Sequence, residues 1–413
     1  MTWYGALAVL LPLAVTSAAS GTRQPAVLLR VEQDPREHLL QQATGDDGQK
    51  SDPRARDAYR RAVELEARGD ADGALALLWT ASGLAPRDAE IQARLAEALT
   101  RVGALDAAIE AWRAALAARP DDRKALRGLV LALVAAGRGP EAVRLAGAAA
   151  DNAPGAIEPL FTLGLAQSEQ DVSAAHDSFA RVLARDPHHT LARYNLALLL
   201  KRLDRLDEAI AELRRVIASD PRPEAYHALG VAWWHRGDAA QATEALQAAI
   251  AADPRSAEAY QMLGTVQAAE RDWKGAAAAL RRALALRPDV AGTHETLARV
   301  LRASGDDAGA RTHFAHGERL RVQSEREHEA RVWTAVGTAR LEEGHAVAAL
   351  DAFRRAIAIC DTYAPAHFQS GRAFDRLGER EAAEGAYARA RTLNPHLVRL
   401  ARPDPADRQR PRP

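Results

Sequence analysis

The stretch Pro223–Ser256, PEAYHALGVAWWHRGDAAQATEALQAAIAADPRS, decides the fold. Tyr226, Leu229, Gly230 and Trp233 recur at the spacing that returns to one face of an α-helix. Gly237 then marks a turn, because glycine accepts the positive φ that ends many helices. Ala242 and Leu246 lie four residues apart on one face of a second helical run. Pro254 stops that run, since it lacks an N–H and its ring clashes with the preceding turn. An aromatic, a leucine three residues on and then a small residue supply knobs and a hole for a neighbouring helix.

Working outward from this stretch, the pattern repeats. Prolines stand at Pro86, Pro120, Pro154, Pro187, Pro221, Pro254 and Pro288, with gaps of 34, 34, 33, 34, 33 and 34 residues. Twelve residues before each lies an alanine: Ala74, Ala108, Ala142, Ala175, Ala209, Ala242 and Ala276. The same phase continues at Ala310, Ala349 and Ala383, which makes ten units, and Pro395 closes the last. Four residues after the alanine comes a bulky apolar group in nine units, Leu78, Trp112, Phe179, Leu213, Leu246, Leu280, Phe314, Phe353 and Tyr387; the third unit has Ala146. Seven units carry a glycine at the turn, and Asp171, Asp204 and Arg271 take that place in the others. One helix pair buries too little apolar surface to stand alone, so stacking must build a continuous core.

The period, the Tyr226-x-x-Leu229-Gly230 start, the central alanine, the later bulky residue and the closing proline strongly resemble the tetratricopeptide repeat. The resemblance covers residues 55–395. It implies an all-α fold, a right-handed α-solenoid of about ten helix-turn-helix repeats with a concave groove. It also implies a non-catalytic protein–protein interaction scaffold that binds a peptide or helix of partner proteins in that groove and helps to assemble a complex. The alternatives are an accessory or regulatory subunit of an envelope enzyme and a self-assembling repeat protein. Self-association would then use the last units and the charged insertion.

Composition fits this reading. The 55 basic and 55 acidic residues cancel, so the chain lacks the basic footprint of a nucleic-acid binder. Cys360 is the single cysteine, which excludes an intramolecular disulfide and reads as a small buried apolar residue. There is no Gly-rich phosphate loop, no G-x-S-x-G and no H-E-x-x-H. His188 and His189 follow Pro187 in a loop without further donors nearby, so no metal or other cofactor and no catalytic residue is expected.

Outside the repeats, residues 1–20 read as a secretory signal. Ala6 to Val15 is apolar apart from Pro12, and Ser17, Ala18, Ala19 and Ser20 are small. Export to the periplasm or the exterior follows. Because no Lys or Arg precedes the apolar stretch, an uncleaved anchor or a cytoplasmic chain is the alternative. No other segment has 18 or more apolar residues, so no further membrane span is expected. Residues 21–54 read as a flexible linker and 396–413 as a disordered Arg/Pro-rich tail. Ala310 and Ala349 are 39 apart, which points to an insertion near 323–329. The charged run Glu318–Glu329 predicts an overlong second helix in unit eight that ends near Glu327.

The resemblance also locates a groove lined by first-helix residues that face away from the core. Alignment on the repeat start puts Phe161, Tyr194, His227 and Trp234 there, with Asn195 and His235 beside them. Aromatic rings are favoured peptide anchors, and an asparagine can bond a peptide backbone. Trp233 is expected in the core, and Trp234, about 100° further round the helix, is expected outside it. Two groove types known in the family are not matched. The Lys, Arg and Asn clamp over three successive units is missing, and Asn195 stands alone where others carry an asparagine ladder.

Overall fold

The computed structural model describes residues 52–394, and all secondary structure there is helical. The segments read as signal, as most of the linker and as the C-terminal tail lie outside the described residues. In chain order the helices are α1 Pro53–Ala67, α2 Ala71–Leu84, α3 Ala89–Arg101, α4 Leu105–Ala118, α5 Arg123–Ala135, α6 Gly139–Asn152, α7 Ile157–Gln167, α8 Val172–Arg185, α9 Thr190–Arg202 and α10 Leu206–Ser219. They continue as α11 Pro223–Arg236, α12 Ala239–Ala252, α13 Ala257–Ala269, α14 Trp273–Leu286, α15 Ala291–Ala303, α16 Asp307–Glu342, α17 Ala346–Ile359, α18 Ala364–Leu377 and α19 Arg380–Leu393. The described residues divide into two compact units, 52–132 with 323–394 and 133–322.

The same local chemistry builds every pair. All ten phase-marking alanines, from Ala74 to Ala383, are 0% exposed. In five pairs the bulky residue four positions on fills a glycine hole in the first helix of its pair, at Gly164, Gly230, Gly264, Gly337 and Gly371. A Cβ on Gly230 would come within 2.6 Å of Leu246 Cγ, and one on Gly264 would come equally close to Leu280 Cγ. Real Cβ atoms do not approach so closely, so these helices meet only because the hole is a glycine. Leu246 and Leu280 are themselves 0% exposed.

In the second unit an apolar cluster runs from Tyr194 and Leu213 through Trp233 and Leu246 to Leu263 and Val266. In the first unit Phe353 closes over Leu341, Leu350 and Ala373, and Cys360 is buried with Ala330, Ala356 and Ala366. Cys360 is thus the small buried residue that the sequence suggests. Also in the first unit, Arg94 ties helices together by pairing with Glu66 at 2.6 Å and with Glu97 at 3.3 Å.

Two local expectations are corrected. All seven turn glycines have positive φ, and Asp204 and Arg271 match them at 60° and 62°. Asp171 does not. It has φ −142° and caps α8 by accepting the Ala174 amide at 2.9 Å. The helix after Asp307 does not end near Glu327 either. It runs 36 residues to Glu342, so the second helix of unit eight and the first helix of unit nine are one. Nothing in the stretch interrupts the i→i−4 ladder, and Gln323, Glu325 and Arg326 are good helix formers.

Candidate peptide-binding face

The first helices α9 and α11 carry most of the groove candidates and touch each other within the second unit. In α11, Pro223 starts the helix at the position where its missing N–H costs nothing, and Gly237 ends it in the left-handed conformation. Between them, the two adjacent tryptophans part ways. Trp233 is 7% exposed, with the guanidinium groups of Arg214 and Arg236 5.1 and 5.0 Å from its ring centre. Trp234 is half-buried and packs on the edge of the same cluster. That division follows from the 100° step between neighbours on a helix.

The structure narrows the sequence-based set. Phe161 is 2% exposed, with its ring centre 5.7 Å from Phe179 and 4.9 Å from His189. Tyr194 is 4% exposed and belongs to the core. Burial, then the nearby Glu224 carboxylate, raises its hydroxyl well above the usual tyrosine range. Asn195 is buried, and its amide donates to the Leu191 carbonyl at 2.8 Å within α9. These three side chains serve packing, since each first helix is sandwiched by neighbours. His227 and Trp234 remain half-buried, and His235 is exposed.

One residue of this face was not singled out by sequence. Lys201, in the last turn of α9, is half-buried, and burial lowers its pKa below the usual lysine value. His227 and His235 are both held below the usual histidine range, first by burial and then by the Lys201 charge. Glu258 acts in the opposite sense on His227, as Asp204 does on His235. The signal that could have found Lys201 is its spacing, seven residues after Tyr194, as Trp234 is seven after His227.

The described residues offer little to a metal: no group of three or more His, Cys, Asp or Glu side chains is placed to hold an ion. No described helix is long and apolar enough to cross a membrane.

Comparison with known proteins agrees with the repeat pattern. Family models described as tetratricopeptide repeat match residues 95–157, 166–231 and 228–291. Among solved structures, a tetratricopeptide repeat protein from Parabacteroides merdae is 19% identical, covering 60% of this chain and 100% of its own, with a TM-score of 0.49. The structure titled MamA 41-end from Desulfovibrio magneticus RS-1 is 28% identical over 41% of this chain and 96% of its own, with a TM-score of 0.37. The pilF protein of Pseudomonas aeruginosa is 19% identical over 49% of this chain and 93% of its own, with a TM-score of 0.44. No curated protein matches the chain.

Proposed function

The chain belongs to the tetratricopeptide repeat family of protein-interaction scaffolds, and from that premise we propose that it is a non-catalytic scaffold that holds an extended segment of a partner protein against the α9–α11 face and so assembles a complex. The observation that carries this reading is Trp234. It is a large ring left half-buried on a face whose immediate neighbour, Trp233, is fully used in the core. An amphipathic ring held rigid at the rim of a core loses little entropy when a ligand covers it, which is why such rings anchor bound peptides. His227 and His235 add polar groups on the same helix.

The test is a pull-down from the native host with the intact chain and a His227→Ala, Trp234→Ala double variant. Both altered side chains lie outside the fully buried core, so circular dichroism should show the helices intact. Partners lost from the variant support the face; partners retained overturn it. A companion proposal is that residues 1–20 direct export. Mass spectrometry of the mature N-terminus tests it, and an intact Met1 in a cytoplasmic fraction would overturn it.

A further inference from the structure

Four residues form a two-by-two grid on α9 and α11. An offset of 33 residues gives Tyr194 and His227 one repeat position and Lys201 and Trp234 another, on two helices that touch, and the Lys201 charge reaches both His227 and His235. Within each helix the two members are seven residues apart, about two turns, so they share a face. The first row closes inward, because Tyr194 is buried. The second row stays open, because Lys201 and Trp234 are each half-covered.

Lys201 differs from two other covered cations on first helices, Arg94 and Arg193. Arg94 faces two carboxylates, and Arg193 pairs with Glu212 on α10. Lys201 has no carboxylate partner among the described residues. The charged and titratable groups around it are His227 and His235, which cannot neutralise it, and Asp204, which acts on His235. A cation partly withdrawn from water without a counter-charge costs free energy, and a carboxylate supplied from outside would recover it. At the same repeat position on the touching helix, the half-buried Trp234 ring offers an apolar surface to whatever flanks that carboxylate.

Resting on the binding face described above, we propose that the Lys201–Trp234 row is a subsite for an acidic side chain within the bound segment. The Lys201 ammonium takes an Asp or Glu carboxylate, His235 lends a second donor, and an adjoining apolar residue lies on Trp234.

The experiment is selection of a displayed library of twelve-residue peptides on the full chain. Selected peptides are then remade with Gln or Asn in place of each Glu or Asp and measured against the wild type, Lys201→Met, Lys201→Arg and Trp234→Ala. The result expected is enrichment of one acidic position. Its neutralisation should weaken binding about tenfold, as loss of a charge-assisted bond does. Lys201→Met should cost the same for the acidic peptide and nothing for its neutral twin, and Lys201→Arg should restore part of the loss. Peptides that lose binding in Trp234→Ala but show no acidic preference would overturn the subsite and leave the face standing. Peptides indifferent to both Trp234→Ala and Lys201→Met would overturn the subsite and the face together.

Discussion

Two groups of histidines in the second unit are both held below the usual histidine range, yet they are built differently. His227 and His235 sit on the outer face of α11, where burial and the Lys201 charge disfavour the imidazolium. No hydrogen bond joins either to another described residue. His294, on α15, takes the place that Tyr226 and Tyr260 hold in units six and seven, at successive steps of 34 residues. There it is 7% exposed and fully engaged. Its Nε2 lies 2.9 Å from the Pro288 carbonyl oxygen and its Nδ1 2.9 Å from His313 Nδ1, while His316 stacks on it at 4.4 Å. A carbonyl only accepts, so His294 Nε2 carries the proton and its bare Nδ1 accepts from His313. One repeat place therefore yields a satisfied polar core, and the other leaves ring nitrogens open to a ligand. The lowered basicity alone does not distinguish them; the hydrogen-bond partners do.

The largest effect that would sharpen this contrast belongs to the apolar core beneath α11. Leu246→Ala empties the hole at Gly230 and should cost about 3 kcal/mol by denaturant unfolding. A cost below about 1 kcal/mol would mean that the pair is not held by this contact.

Next comes acid. Burial lowers the pKa of both His294 and His313; at His294 the Pro288 carbonyl opposes and His316 pushes the same way, and at His313 His294, Arg281 and His316 push the same way with Asp306 opposing. Their ordinary value is 6.5, so the unfolded chain binds protons there first. Stability is therefore complete above about pH 6.5 and is lost as pH falls through the lower folded values. Protonating His294 would turn its Nδ1 from acceptor to donor, so the 2.9 Å contact would survive only if His313 gave up its own Nδ1 proton. Thermal melts should show this fall in the wild type and a shallower one in His294→Tyr, which restores the residue of the two preceding units. Parallel curves for the two proteins would refute the assignment.

A smaller effect is expected at the cap of α12. The Asp238 carboxylate accepts the Gln241 amide at 3.0 Å, so Asp238→Ala should cost about 1 kcal/mol. Trp234→Ala trims a half-buried ring at the edge of the apolar core beneath α11, so it should cost clearly less than Leu246→Ala while it removes partner binding. A large loss of stability would assign Trp234 to the core alone.

Much of the fold is legible in the sequence because the repeat forces it. Every phase-marking alanine lies where the proline spacing puts it, and Gly164, Gly230, Gly264, Gly337 and Gly371 meet the bulky residues of their own pairs. The continuation of α16 was harder to see. Repeat phase asks for a turn near Glu327, but the segment holds no residue that stops a helix, and local propensity wins. Asp171 misled for a related reason: a short polar residue at a turn can serve as a left-handed stop or as the next helix's cap. The site is less legible. Alignment on the repeat start assigns a face but not a depth, so it groups Phe161, Tyr194 and Asn195 with Trp234 although these three are buried. Lys201 was missed because its interest lies in a partner it lacks, which only three-dimensional surroundings reveal.

The most direct measurement is site-specific photo-crosslinking in the native host. A photoreactive residue is placed at Trp234 on α11 in one protein and at the exposed Glu244 on α12 in another. Irradiation should give a discrete adduct with a partner protein from position 234 and none from position 244, and adding Lys201→Met should weaken it. An adduct formed only from position 244 would contradict the account and move binding to the opposite face of the pair.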